Sequence, residues 1–172
     1  HKKSNLKKKT NTNNKINFVG AYDKYRENFL NKLNIKIDVF GPGWNKMKKK
    51  NKNINISSGM IDGIKLSKIN NEYSISLNIM RKQDLNSHNM KTFEIPAMNG
   101  LMLTPRSKEQ NSFFPEGKTC FMFSTENELL KKIQFILSNK TISRTIQNAA
   151  KKKLKKNTYR NRAKNIIKVV NL

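Results

Sequence analysis

Acidic residues are scarce in this chain: 11 Asp and Glu stand against 36 Lys and Arg, so a carboxylate in an apolar stretch calls for a reason. Cysteine is nearly absent. Cys120 is alone, which excludes an intramolecular disulfide, and with two histidines distant in sequence it makes no zinc pattern. No apolar run approaches the roughly 18 residues of a membrane span. The N-terminus, HKKSNLKKKTNTNNK, is basic with no apolar stretch behind it, so it does not read as a secretory signal.

What is present is lysine. The 172 residues suit one domain with one core, and they carry a net charge of +25. Such a charge fits a polyanion or an anionic membrane surface. A biased coding composition accounts for it better, because Lys, Asn and Ile, all abundant here, have AT-rich codons. Thirty of the basic residues are Lys and six are Arg. Arginine is the residue whose planar fork suits phosphate. The runs Lys2–Lys9, Lys46–Lys52 and Lys151–Lys156 hold no interleaved aromatic, so base stacking is unsupported and nucleic acid is not the expected partner. Peripheral contact with an anionic membrane is the milder expectation.

The pattern along the chain alternates. Residues 1–15 read as a disordered basic segment, and 16–172 as the folded domain. INFVG (16–20) is a short buried strand ending in a turn. YRENFLNKL (25–33) has helical spacing, and IKIDVFGPGW (35–44) is a second strand broken by Gly-Pro-Gly. NINIS (53–57), YSISLNIM (73–80), GLMLTP (100–105) and TCFMFS (119–124) read as further strands. GIKLSKIN (63–70), MKTFEIPAM (90–98) and TENELLKKIQFILSN (125–139) read as helices. Thr125 followed by Glu128 matches a capping box. Two more helices fill 141–170, broken near Asn157-Thr158. The fold class is therefore α/β: a Rossmann-like parallel sheet with helices on both faces.

In such sheets, ligands bind beyond the carboxyl ends of the strands. Three loops fall there: Gly20–Tyr25, Arg81–Asn89 and Thr104–Lys108. Ser87 and Asn89 are both good caps for the helix that follows. That helix start offers free N–H groups and a partial positive charge, Lys91 adds a full one, and Arg81 and Lys82 come from the neighbouring strand end. Together they suit a diphosphate. Glu94, about one turn deeper, suits the vicinal diol of a ribose. Blander readings fit the same residues. Glu94 can pair with Lys91 at i,i+3 spacing, His88 can serve the loop or its cap, and Arg81-Lys82 can be a solvated face.

NFVGAYDKYRENFLNKL (17–33), VFGPGW (39–44), the stretch from ISLNIMRK to SHNMKTFEIPAMNGLMLT (75–104) and NTYRNRAKNI (157–166) together resemble the spore-maturation, CgeB-like branch of the group 1 glycosyltransferases. The resemblance implies the C-terminal, donor-binding half of a two-domain GT-B enzyme, with the acceptor domain outside this chain. It places Gly20 and Arg26 near the diphosphate of a nucleotide sugar. It puts Arg81, Lys91, Asn89 and His88 around the diphosphate and sugar, and Glu94 on the ribose. Lys91 stands where the branch has Arg, and Asn99 where it has Gly. Asn86 occupies the position of the first Glu in the superfamily's Glu, seven residues, Glu pattern. No Asp-x-Asp pair occurs, so no metal is expected, and the helix start with Arg81 and Lys91 would carry the leaving-group charge. A cytoplasmic protein, peripheral to the inner membrane face, is the expected location. The base, the sugar, the acceptor and the stereochemical outcome are not legible in these residues.

Overall fold

The computed structural model describes residues 14–48, 51–154 and 157–170. The expected disordered segment lies, up to residue 13, outside the described residues, as do Lys49, Lys50, Lys155 and Lys156 of the lysine runs.

Six strands form one sheet: β1 (Ile16–Val19), β2 (Ile37–Gly41), β3 (Ile54–Ser58), β4 (Ile75–Leu77), β5 (Met102–Pro105) and β6 (Phe121–Phe123). Their order is β3-β2-β1-β4-β5-β6 and every pairing is parallel. Parallel neighbours need crossovers, and helices supply most of them. These are α1 (Lys24–Lys32), α2 (Gly63–Glu72), α3 (Met90–Ala97), α4 (Lys108–Phe113) and α5 (Glu126–Ser138), followed by α6 (Lys140–Leu154) and α7 (Tyr159–Val170). The link from β2 to β3 has only a 3₁₀ turn, Trp44–Lys46.

The period of two along each strand sorts the two faces. Ile16 and Phe18, Ile37 and Val39, Ile75 and Leu77, and Phe121 and Phe123 pack with Leu30 and Leu33 of α1 and with Leu129, Ile133 and Ile136 of α5. On the other face Met102 and Met122 meet Ile95 of α3 and Ala150 of α6, and Val19 meets Leu66 and Ile69 of α2. Polar residues on that face are tied together: Asn17 donates to Ser76 Oγ at 3.1 Å, and Ser76 donates to Asn70 Oδ1 at 2.7 Å. These groups are buried, where an unmet polar atom would cost roughly 1–3 kcal/mol.

The structure corrects four details of the pattern reading. The helix α4 was not expected; 104–108 read as loop and nothing was assigned up to the next strand. β4 stops at Leu77, although Asn78–Met80 stay buried. Asn89, not Ser87, caps α3. Thr125 does cap α5 through the Glu128 N–H, but the Glu128 carboxylate does not return to Thr125. It accepts from the Ser124 N–H at 2.8 Å and from Arg106.

Asn99 occupies a special backbone position. It follows α3 with φ 61°, the left-handed region that Gly and Asn tolerate best.

Candidate functional site

The strand order reverses between β1 and β4, which opens a crevice at their carboxyl ends. Two segments line it: Gly20–Asp23 after β1, and Asn78–Asn89 between β4 and α3.

The first segment is fixed by the GPGW turn. Gly41 has φ +137°, and a Cβ there would lie 2.3 Å from the Gly20 carbonyl oxygen. The turn therefore sits directly against the loop. Trp44, 1% exposed, donates from Nε1 to the Gly20 carbonyl at 2.8 Å and meets Phe18 and Tyr22 edge-on. Asp23 caps α1 by accepting from the N–H groups of Tyr25 and Arg26. Gly20 has no room for a side chain: a Cβ would come 2.8 Å from Phe18 Cζ.

Arg26 joins the two segments. It is buried, and its Nε donates to the Ile79 carbonyl at 3.0 Å while a terminal nitrogen donates to the Ala21 carbonyl at 3.1 Å. Burial, and then the positive charge of Arg81 nearby, pull its pKa below the ordinary value. Arg26 is thus a strap between the loops, with Arg81 beside it. Among the described residues, Arg81 and Lys82 take part in no ion pair. Two guanidinium groups near each other at a strand switch form a place where an anion lowers the electrostatic energy.

Asn89 is likewise built into the fold. Its Oδ1 accepts from the Thr92 N–H at 3.2 Å and its Nδ2 donates to Asn78 Oδ1 at 3.0 Å. The Thr92 hydroxyl completes a capping box with the Asn89 N–H. The first-turn N–H groups that no cap reaches have no partner within the helix. One turn on, Lys91 Nζ lies 2.7 Å from Glu94 Oε2, both side chains about a quarter exposed. The i,i+3 pair anticipated from spacing is formed. It sets an ammonium and a carboxylate side by side at a helix start, which suits a ligand carrying both phosphate and hydroxyl groups.

Sequence reading missed α4, and α4 is what holds the α3 start in place. Ser107 donates to the Ser87 carbonyl at 3.3 Å, and Glu109 Oε1 lies 3.0 Å from His88 Nδ1. Gln110, fully buried, meets the Thr92 hydroxyl at 2.8 Å and also bonds to Thr104. The signal was there: Ser107-Lys-Glu-Gln110 is a Ser-x-x-Gln helix start, and Ser107 does cap Gln110. Also missed was Arg162 of α7, whose guanidinium lies 4.5 Å from the Phe93 ring centre and 5.7 Å from that of Phe113.

The third loop holds Arg106. Glu116 and Glu128 clasp its guanidinium, and Lys132 lies 3.3 Å from Glu116. The pairing drives the Glu128 carboxyl down to about 2 and also lowers Glu116. This group closes the β5–β6 end on itself. A groove of about 700 Å³ between α1 and the start of α5, lined by Phe29, Phe123 and Glu126 among others, contains none of the expected site residues. Among the described residues no group of three or more His, Cys, Asp or Glu is placed to hold a metal, and no helix is long and apolar enough to cross a membrane.

A family model described as glycosyl transferase-like matches residues 26–168. The chain belongs to the glycosyl transferase-like family. Among curated proteins no sequence matches. Solved structures agree on the GT-B fold. The T4 phage β-glucosyltransferase in complex with UDP-glucose superposes with TM-score 0.64 at 15% identity, over 83% of this chain and 44% of that one. Anabaena HepE in complex with UDP-glucose gives 0.63 at 8%, over 83% and 44%. A glycosyltransferase from Rickettsia africae gives 0.58 at 17%, over 81% and 42%. The chain therefore spans less than half the length of these structures. At such identities the likeness concerns the fold.

Proposed function

We propose that this member of the glycosyl transferase-like family is the donor-binding half of a GT-B enzyme, of the CgeB-like branch, that binds a nucleotide diphosphate sugar. The observation that carries the reading is the Lys91–Glu94 pair, one turn into a helix whose capping residue, Asn89, bonds to Asn78 just beyond β4. Two structural neighbours were solved with UDP-glucose, which supports a nucleotide sugar as ligand. Glu94 accepts from the ribose hydroxyls. Arg81, Lys91 and the α3 start hold the diphosphate, while Arg26 and Gly20 shape the loop beneath it.

Transfer of a glycosyl group leaves negative charge growing on the diphosphate. Fixed positive groups aimed at that charge stabilise the transition state more than the ground state. The helix start is preorganised in this sense and Arg81 adds its charge beside Arg26, without a metal. The acceptor and any general base belong to a second domain, so the chain alone binds donor and turns over little. Contact with an anionic membrane would use the lysine runs, with the protein on the cytoplasmic side.

Calorimetric titration of UDP, GDP, ADP and their sugars tests the reading, on wild type and on Glu94→Gln, at two salt concentrations. One nucleotide should bind selectively, and the variant should lose about 10- to 100-fold, as expected for charged hydrogen bonds of roughly 1.5–3 kcal/mol. Equal binding of all three with a steep salt slope would point instead to a polyanion surface.

A further inference from the structure

Among the described residues, exposed apolar side chains gather on the last helix. α7 buries none of its residues, and Ile166, Ile167, Val169 and Val170 are between 56% and 75% exposed. At about 100° per residue these four fall with Tyr159 and Ala163 in one arc of roughly 160°, while Arg160, Lys164 and Lys168 run down another side. Arg162, in the first turn, meets the body of the protein: its guanidinium lies over the Phe93 and Phe113 rings. The four apolar residues lie beyond that contact, toward the end of the helix, and stay open to solvent.

Acid is absent from the same region. The last carboxylate side chain in the sequence is Glu128, and from Lys140 to Leu172 there are eleven Lys or Arg and no Asp or Glu. A biased coding composition supplies lysine and isoleucine in excess. It does not sort them onto different sides of one helix.

Whatever covers α7 has to meet both halves of this pattern. A helix of 12 residues is marginal in water by itself, and exposed Ile and Val side chains gain only from an apolar phase. Nucleic acid offers phosphates without an apolar phase, so it would leave the stripe wet. An anionic bilayer surface offers both, acyl chains behind a layer of phosphates that attracts basic segments. The helix is about 18 Å long against an apolar layer of about 30 Å, so it suits lying in the surface and not spanning it.

We infer that α7 is an interfacial helix that docks this chain on an anionic lipid surface, with Ile166, Ile167, Val169 and Val170 among the upper acyl chains and Arg160 and Lys164 on the lipid phosphates. The contact then belongs to one amphipathic helix and not to the lysine runs at large. It stands independently of the donor-domain reading. Through Arg162 and Phe93 the docked helix is joined to α3, which carries Lys91 and Glu94.

Co-sedimentation of the whole chain with vesicles tests this, using phosphatidylcholine with and without phosphatidylglycerol at moderate salt. Binding should need phosphatidylglycerol. The double variant Ile166→Asn with Val170→Asn keeps every charge and alters only exposed positions. It should keep its melting temperature and its nucleotide affinity but bind the anionic vesicles about tenfold less, since the apolar area it can insert is smaller. Arg160→Gln with Lys164→Gln should weaken binding to the anionic vesicles as well. The chain has one tryptophan, Trp44, which is buried, so Val169→Trp adds a reporter on the stripe. Its emission should shift to the blue on anionic vesicles. Failure to bind either vesicle overturns the inference. So does undiminished binding by the Ile166→Asn, Val170→Asn variant, or an unshifted Val169→Trp emission, either of which would leave a plain polyanion-binding surface. A chain that self-associates through the stripe and ignores vesicles would give the helix to a second copy and overturns it too. Nucleotide titration reads the donor site separately, so the two readings fail independently.

Discussion

Replacing Gly41 by Ala tests whether the GPGW turn shapes the donor loop. Two costs add at this position. The φ of +137° lies where L-residues are strained, at roughly 1–3 kcal/mol. The new methyl would stand 2.3 Å from the Gly20 carbonyl oxygen, whose ordinary contact distance begins near 3.4 Å, so the loop must move by about 1 Å. Gly59 separates the two costs. Its φ is +136°, and a Cβ there meets nothing within 4 Å. Gly59→Ala therefore carries the conformational strain without the collision. Thermal unfolding should show both variants destabilised, with Gly41→Ala the worse by about 1–2 kcal/mol, or roughly 2–8 °C for a chain of this size. Nucleotide titration should show Gly41→Ala losing about tenfold or more in affinity, since Gly20 and the Arg26 strap move together, while Gly59→Ala stays within about twofold. Equal affinity losses in the two variants, or none in Gly41→Ala, would refute the claim that this turn sets the loop.

Two further outcomes follow from the same structure. The Glu128 carboxyl sits at about 2 in the folded chain, below its ordinary value, so the stability it lends is present above the usual carboxylate range and is lost as pH falls toward 2. Solvent screening of these partly exposed groups keeps the effect near 1 kcal/mol, and the difference in melting temperature between wild type and Glu128→Gln should shrink from pH 6 to pH 3. A difference that grows on acidification would contradict the assignment. At Asn99, φ 61° predicts that Asn99→Gly is nearly neutral in thermal unfolding and that Asn99→Val costs about 1–2 kcal/mol. Similar melting temperatures for the two variants would count against strain there.

Much of the fold was open to reading because its signals are local. Short apolar runs alternating with helical spacing gave all six strands and every helix except α4. That helix has six residues and one fully buried apolar neighbour, Phe114, so it shows little periodicity to detect. The candidate site was legible only in part. Lys91 and Glu94 sit three apart on one helix, so their pairing follows from helix geometry alone. Arg26 and Asn89 were expected at the ligand, and the structure shows their polar atoms holding the Ile79 and Ala21 carbonyls, Asn78 and Thr92. Such partners lie up to 53 residues away in sequence, and no spacing rule reaches that far.

The sequence by itself determined the alternation of strand and helix, the parallel sheet that alternation demands, and the basic helix start with its single acid at Glu94. Those follow from side-chain periodicity and from the short reach of capping and i,i+3 contacts. Only the tertiary structure decided that β1 and β4 lie side by side, that Arg26 is a strap with Arg81 beside it, and that Glu109 stands behind His88. These depend on which distant segments share the sheet's carboxyl edge, and chain crossovers, not neighbouring residues, bring them there.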